Sequence, residues 1–189
     1  MSFDRFKVLT FDVVGTLIDF ERGIVDHMRA THGRAAQGFD DDTILEAYRH
    51  ARAQPKSGWY PDDLVRVYEE MAHRLGLSAA RGAGEGMRDS VARWPAFPDS
   101  VEALKRLRRR FKLVAMTNAR HWALDHMART LGEPFDDRVT VDDVRLEKPD
   151  PQFFAFARGR LSASGHNFED ILHVAQSQHH DIGVAKRLG

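Results

Sequence analysis

KVLTFDVVGTLIDF, residues 7–20, opens as an apolar run and then places a single carboxylate, Asp12, just before a glycine turn. A continuous run of β-branched and aromatic residues is typical of a strand that is buried on both faces of a parallel sheet. Ligands of such sheets bind outside the carboxyl ends of the strands. The stretch therefore predicts a central strand that ends in a functional aspartate.

The same design recurs along the chain. FKLVAMTNA at 111–119 and ILHVAQS at 171–177 are further apolar runs that end in polar residues, and RVTVDDV at 138–144 is a shorter strand candidate. Segments with helical periodicity alternate with these runs, at 99–110, 121–132, 149–161 and 179–189. This alternation predicts an α/β fold, in which a Rossmann-like, doubly wound parallel sheet carries helices on both faces.

Residues 21–93 break the alternation, because they contain almost no strand signal. Their helical periodicity is clearest at 40–53, 61–77 and 84–94. We predict that 21–93 form an inserted helical cap domain and that 1–20 and 94–189 form the α/β core, with the proline-bearing WPAFPDS at 94–100 as the return linker. Since only one helix pattern follows the last strand candidate, we expect the core to continue beyond Gly189 in a longer protein.

Composition and charge exclude several classes of site. Lys and Arg together number 28, Asp and Glu also number 28, and there is no cysteine, which excludes disulfides and thiolate metal sites. A balanced charge gives no reason to expect nucleic acid or a membrane surface as a partner. No apolar run approaches the roughly 20 residues that span a bilayer. We expect a cytoplasmic protein that binds a small molecule, and a homodimer is compatible with the sequence.

Polar side chains collect where the predicted strands end. Taken singly, each is more often a turn residue, a helix cap or a solvated side chain than a functional group. Four such clusters in the order that one fold demands point to a common site at one edge of the sheet. The candidates are Asp12, Thr16, Thr117, Asn118, Lys148, Gln176, Ser177 and Asp181.

These clusters resemble the motifs of the haloacid dehalogenase superfamily, and nearly the whole chain takes part in the resemblance. The first motif is DVVGTL at 12–17, the second is Thr117-Asn118, and the third is Lys148-Pro149. The fourth lies in AQSQHHD at 175–181, and the helical insert matches the small cap domain of the family. The resemblance implies a hydrolase in which Asp12 is a nucleophile that forms a covalent ester.

Two departures from the phosphatases of this superfamily narrow the resemblance. Val14 stands where those enzymes place an aspartate that protonates the leaving oxygen. Gln176 stands where they place an acid that binds Mg²⁺, an ion that prefers anionic oxygen ligands. The chain is therefore more similar to the type II (S)-2-haloacid dehalogenases, whose halide leaves without a proton. We expect no obligatory cofactor, although weak Mg²⁺ binding is compatible with the remaining acids.

The dehalogenase resemblance implies a role for each candidate. Lys148 would balance the charge of Asp12, and Asp181 would orient Lys148 or activate water. Thr16, Thr117 and Asn118 would donate hydrogen bonds to the nucleophile or to the carboxylate of the substrate. The predicted substrate-binding residues are Val13, Val14, Arg49, Gln176 and Ser177, with Arg52 as a second arginine candidate from the cap.

Departures from the dehalogenases leave three alternatives to the haloacid dehalogenase activity open. Dehalogenases commonly carry an aromatic residue at the Val14 position, a tyrosine at the Phe154 position, and serine and asparagine in the fourth motif. The substrate could instead be a strained cyclic amino acid such as azetidine-2-carboxylate, with His179 or His180 protonating the leaving amine. A Mg²⁺-dependent phosphatase and a non-catalytic protein of the same fold are the other two.

Overall fold

The computed structural model describes residues 3–189, and the chain divides into two compact units. One unit comprises Met1–Ile18 and Ala96–Gly189, and the other comprises Asp19–Pro95. The boundaries expected from sequence, at residues 20 and 94, differ from these by two residues each. None of the helices within residues 3–189 is long and apolar enough to cross a membrane.

The first unit is built on a parallel sheet of four strands in the order β3-β2-β1-β4. The strands are β1 (Val8–Phe11), β2 (Lys112–Met116), β3 (Asp137–Val139) and β4 (Ile171–Val174). Central β1 pairs with both β2 and β4, so that Phe11 lies level with Ala115 and Val174. The strand order reverses at β1, which confirms the predicted α/β class and leaves the crevice of such a sheet between β1 and β4.

The helices of the first unit lie between and after the strands. They are α6 (Ser100–Leu107), α7 (His121–Thr130), α8 (Val141–Val144), α9 (Pro151–Ala163) and α10 (Gly183–Leu188). Residues Val8, Leu9 and Phe11 are almost completely buried, as a central strand requires. The residues of β4 are only half-buried, because β4 forms an edge of the described sheet.

Two predicted segment boundaries were wrong, because in each case a polar side chain caps the N-terminus of a helix at a different residue. The strand at β3 stops at Val139, because the Thr140 side chain accepts the Asp142 N–H and begins α8. Residues 138–144 are therefore half strand and half helix. Likewise Pro149 does not open a helix; α9 begins at Pro151, behind the Asp150 side chain that accepts the Gln152 N–H.

The chain from 179 to 189, expected to be one helix, begins instead as a wide π-helical turn over Gln178–Ile182. The Ser177 hydroxyl caps this turn by accepting the His180 N–H. Regular α-helix resumes in α10. The turn buries Asp181 while its histidine neighbours remain exposed.

The second unit is helical, and the part of it that the structure describes contains no strand. Its helices are α1 (Phe20–His32), α2 (Arg34–Gln37), α3 (Asp41–Ala53), α4 (Leu64–Arg74) and α5 (Ala83–Ser90). The sequence patterns had missed α1, whose N-terminus is capped by Asp19. Helix α1 packs against Trp94 at Gly23, where a Cβ atom would lie 2.2 Å from the indole ring. No other residue would fit there without a shift.

Candidate active site

Asp12 is held at the carboxyl end of β1 by a tight turn. Its N–H donates to the Val174 carbonyl at 3.0 Å. Gly15 adopts a φ of 85°, which glycine tolerates and other residues rarely adopt. The turn brings the Thr16 hydroxyl back onto the aspartate, where Oγ1 donates to Asp12 Oδ2 at 2.8 Å. Backbone and side chain together fix the orientation of this carboxylate.

Lys148 lies at the centre of a cluster that also contains Asp12 and Asp181. Its Nζ donates to Asp12 Oδ1 at 2.9 Å, to Asp181 Oδ1 at 2.5 Å and to the Met116 carbonyl at 2.8 Å. An ammonium has three N–H donors, so all of them are satisfied. The side chain is only 1% exposed. Two carboxylates and a carbonyl thus offset the cost of burying this charge.

Asn118 positions the backbone of that lysine. Its Oδ1 accepts the Lys148 N–H at 2.7 Å, and its Nδ2 donates to the Lys148 carbonyl at 2.9 Å. Both ends of the Asn118 amide therefore bond to the backbone of Lys148, whereas the sequence had led us to expect a hydrogen bond to the nucleophile or to the substrate carboxylate. Thr117 is buried at the end of β2, where its Oγ1 accepts the Ala119 N–H. The hydrogen bonds of Thr117 and Asn118 thus stabilise the backbone around the cluster.

Asp181 is the buried second carboxylate of the cluster. It contacts His173, a histidine that the sequence analysis had missed. His173 Nε2 lies 2.9 Å from Asp181 Oδ1, and His173 Nδ1 lies 2.9 Å from Thr10 Oγ1. Burial alone would raise the pKa of Asp181, but the hydrogen bond from His173 and the charge of Lys148 outweigh it and lower that pKa. The only sequence signal for His173 was a polar residue inside an apolar strand.

The remaining residues of the fourth motif lie near the surface. Gln176 is exposed, and its N–H donates to Thr16 Oγ1 at 3.1 Å. Ser177 Oγ lies 3.1 Å from His180 Nδ1, and the His179 and His180 rings contact edge to face. Although His180 is exposed as a whole, partial desolvation of its ring and the neighbouring His179 lower its pKa, which disfavours the imidazolium form.

The two valines of the first motif differ in exposure. Val13 is completely buried, and its carbonyl accepts the N–H groups of Leu17 and Ile18 at 2.9 and 3.0 Å. Its side chain therefore belongs to the core and not to a substrate-binding surface, contrary to the sequence-based prediction. Val14 is half-buried and leaves an aliphatic surface two residues after Asp12.

The two arginine candidates of the helical unit have different surroundings. Arg52 Nη1 donates to Asp63 Oδ2 at 3.1 Å, and its guanidinium lies 5.3 Å from the centre of the Tyr60 ring. Arg52 is thus part of the packing of its own unit. Arg49 lies exposed on α3 and makes no described hydrogen bond or ion pair within residues 3–189.

The acidic groups of the site fit a divalent cation poorly. Asp12 and Asp181 both direct an oxygen at the Lys148 ammonium. Within residues 3–189, no group of three or more metal-ligating His, Cys, Asp or Glu side chains comes together. Gln176 supplies a neutral amide where an anionic ligand would suit Mg²⁺ better. The cluster is therefore organised around a lysine.

Known proteins match the chain along most of its length. The model of a hydrolase family described as haloacid dehalogenase-like hydrolase matches residues 6–189. (S)-2-haloacid dehalogenase 1 of Pseudomonas sp. (strain CBS-3) is 25% identical over 164 residues, which cover 84% of this chain and 72% of the relative. (S)-2-haloacid dehalogenase 4A of Burkholderia cepacia is 24% identical over 192 residues, which cover 98% of this chain and 81% of the relative.

A solved structure shares the fold. The L-2-haloacid dehalogenase from Xanthobacter autotrophicus superposes with a TM-score of 0.75 at 23% sequence identity, and the match covers 97% of this chain and 75% of that one. At this identity the match establishes the architecture and leaves the chemistry to the residues of the site.

Proposed function

The chain belongs to the haloacid dehalogenase-like hydrolase family, and from that premise we propose that it hydrolyses a small 2-substituted carboxylic acid through a covalent ester on Asp12, without an obligatory metal ion. The observation that carries this proposal is the buried Lys148 ammonium, which bridges Asp12 and Asp181 with all three of its N–H donors engaged. A carboxylate held in place by hydrogen bonds beside a lysine suits nucleophilic displacement at a carbon atom.

In the first step, a carboxylate oxygen of Asp12 attacks the α-carbon of the substrate. A C–O bond forms while the carbon–halogen bond breaks, and the halide leaves with the bonding electron pair. Thr16 and Lys148 each hold one oxygen of the carboxylate. This restraint reduces the entropy lost in reaching the attack geometry.

In the second step, water attacks the carbonyl carbon of the Asp12 ester. The acyl C–O bond breaks, the 2-hydroxy acid leaves, and Asp12 returns with one oxygen from water. Asp181 is the candidate acceptor of the water proton, because its lowered pKa keeps it ionised and both of its described hydrogen bonds end on Oδ1. Its Oδ2 is then the oxygen suited to receive that proton.

Val14 suits this reaction because a halide needs no proton to leave. An alkoxide leaving from a phosphate ester does need one, and valine cannot supply it. A phosphate monoester would also bring up to about two negative charges to a site that already holds two carboxylates and one lysine. A 2-haloacid brings one. We propose Arg49, Gln176 and Ser177 as contacts for its carboxylate.

The helical unit is proposed to act as a cap that excludes water during the reaction. Its lack of strands and its position in the sequence between two parts of the α/β unit support this role. The cytoplasmic location and the homodimer remain predictions. The lowered pKa of His180 disfavours the imidazolium that an amine-releasing reaction through this residue would use.

The test follows oxygen from water into the protein. The enzyme would be incubated with (S)-2-chloropropionate in H₂¹⁸O through many turnovers, and the peptide that contains Asp12 would be analysed by mass spectrometry. Incorporation of ¹⁸O into Asp12 is the expected result. Turnover that labels only the product would contradict the ester, and Mg²⁺-dependent hydrolysis of phosphoesters with no haloacid turnover would replace the proposal with a phosphatase.

A further inference from the structure

A buried histidine lies directly behind the candidate site. His173 stands in β4 opposite Thr10 of β1, since the two residues are register partners in the sheet. Its side chain is only 8% exposed. The edge of its ring packs against the face of the Phe154 ring, or the reverse, at a centroid distance of 5.6 Å and an angle of 79°. Sheet and aromatic neighbour together restrict the rotation of the imidazole.

The contacts of the ring determine its tautomer. Asp181 Oδ1 is a carboxylate oxygen that already accepts from Lys148, so the His173 nitrogen facing it, Nε2, must carry a hydrogen and donate. In the neutral imidazole the other nitrogen, Nδ1, then accepts the hydrogen of the Thr10 hydroxyl. Thr10, His173, Asp181, Lys148 and Asp12 thus form one continuous chain of hydrogen bonds.

We propose that His173 is a positioning residue, which holds Asp181 ionised and oriented toward Lys148, and that the Thr10 hydroxyl holds the imidazole ring in this orientation through Nδ1. His173 acts through Asp181 and touches neither substrate nor nucleophile. Its effect on turnover rests on the proposed function, whereas its effect on Asp181 does not.

The physical reason is that Asp181 is buried with few donors. Its carboxylate receives hydrogen bonds from Lys148 and His173, both on Oδ1. Without His173, the lysine would be the one remaining donor among the described contacts of this carboxylate, and burial would favour its protonated form. A neutral Asp181 would hold Lys148 less firmly and could not accept a proton from water. The other titratable groups that face Asp181 are Asp12 at the end of β1 and His180 in its own turn.

The experiment compares His173→Phe, which removes the N–H donor, with His173→Gln, which keeps an N–H at a similar reach. His166→Phe is the matched control, because His166 precedes β4 and contacts none of the hydrogen-bonded chain. The carboxyl carbon of Asp181 would be titrated by NMR in ¹³C-aspartate-labelled protein, and the tautomer of His173 would be read from its ¹⁵N shifts. Turnover of (S)-2-chloropropionate would be measured across pH.

We expect a single Nε2–H tautomer in the wild type and a higher titration midpoint of Asp181 in His173→Phe, with His173→Gln closer to the wild type. We expect kcat of His173→Phe to fall roughly ten- to hundredfold with KM within about twofold, as for loss of one hydrogen bond to a charged group. The acid limb of the kcat profile should move to higher pH.

An unchanged Asp181 titration in His173→Phe would overturn the inference, as would equal loss of kcat in the Phe and Gln variants with an unchanged pH profile. If His173→Phe does not fold, Thr10→Val decides, because it keeps the imidazole and removes the hydrogen bond that orients it. A raised titration midpoint of Asp181 in this variant would support the inference, and an unchanged midpoint would overturn it. If the wild type turns over no haloacid, the proposed function fails, and the NMR titration still decides the role of His173.

Discussion

Each unit of this protein buries an aspartate beside a basic side chain. The two aspartates differ in how many hydrogen bonds their carboxylates accept. In the helical unit, Asp63 is fully buried and accepts hydrogen bonds from two arginines and from both the N–H and the hydroxyl of Ser57. In the α/β unit, the described hydrogen bonds to the Asp12 side chain within residues 3–189 come from Thr16 and Lys148, and this side chain is 10% exposed. The carboxylate of Asp63 accepts five hydrogen bonds and has no lone pair left for chemistry, whereas each oxygen of Asp12 accepts one described hydrogen bond and keeps a lone pair.

The pKa of Asp63 follows from the same bonding. Burial would raise it, but the hydrogen bonds from Arg66 and Ser57 prevail and lower it. The guanidinium of Arg66 holds both oxygens, through Nε and Nη2, each at 2.8 Å. A bidentate pair of this kind fixes geometry as well as charge. The comparison therefore predicts that one aspartate serves stability and the other serves reactivity.

The largest expected effect is on turnover by Asp12→Asn. An amide oxygen is a poor nucleophile, so we expect kcat to fall by at least about a thousandfold. The free energy of unfolding should change little, and circular dichroism checks that the fold is kept. Wild-type-like turnover in fresh protein, with deamidation excluded by mass spectrometry, would reject Asp12 as the nucleophile.

Asp63→Asn should show the opposite pattern. It leaves two arginines facing a neutral amide, so we expect a loss of about 2 to 4 kcal/mol in the free energy of unfolding. Activity per folded molecule should persist. The measurement is denaturant unfolding, with Asp41→Asn as the control, since the exposed ion pair of Asp41 with Arg29 contributes at most about 1 kcal/mol. Equal stability of the two variants would show that Asp63 is not the anchor of its unit.

The two arginines of the helical unit, Arg49 and Arg52, should differ in the same way, with smaller effects. Arg49→Gln should raise KM for the haloacid about tenfold, as for loss of a charged contact with substrate. Arg52→Gln should leave KM unchanged and cost about 1 to 2 kcal/mol of stability, because it removes a donor to buried Asp63. If Arg52→Gln alone raised KM, the assignment of the two residues would be reversed.

Low pH should reduce the free energy of unfolding of the wild type, in part because buried carboxylates become protonated. The pKa values of Asp63 and Asp181 are lowered in the folded state, so the unfolded chain binds their protons first as pH falls. Their stabilisation is present above the unfolded Asp pKa of about 3.9 and is lost as pH falls through the folded values. Chemical denaturation between pH 7 and 3 should show a shallower loss in Asp63→Asn than in the wild type, and parallel curves would contradict this origin.

The smallest expected effect is that of metal. Because Lys148 is the cation that bridges the carboxylates, we expect excess EDTA or added Mg²⁺ to change haloacid turnover by less than about twofold. Val14→Asp alone should not create an efficient phosphatase, since Gln176 remains neutral. Parallel assays of wild type, Val14→Asp and Val14→Asp/Gln176→Asp check this, and loss of wild-type turnover in EDTA would contradict it.

Several features could be predicted from local sequence. The apolar run of residues 7–11 predicted a central strand because such a run can be satisfied only by burial on both faces. The order of the polar strand ends predicted that Asp12, Lys148 and Asp181 would meet, because parallel strands bring their carboxyl ends to one edge of a sheet. The predicted boundaries at β3 and at Pro149 were wrong, because single capping hydrogen bonds decide there where a strand ends or a helix begins.

Only the tertiary structure decided which groups actually contact one another. The contact between Thr10 and His173 depends on strand register, the two bonds of Asn118 to the Lys148 backbone depend on loop closure, and the saturation of Asp63 depends on the packing of helices. Sequence alone determined the residue types and the edge of the sheet where they lie, because hydrophobic patterning acts locally. It could not determine hydrogen-bond partners, because a difference of a few tenths of an ångström in the distance between two atoms decides whether a hydrogen bond forms, and these atoms belong to residues far apart in the chain.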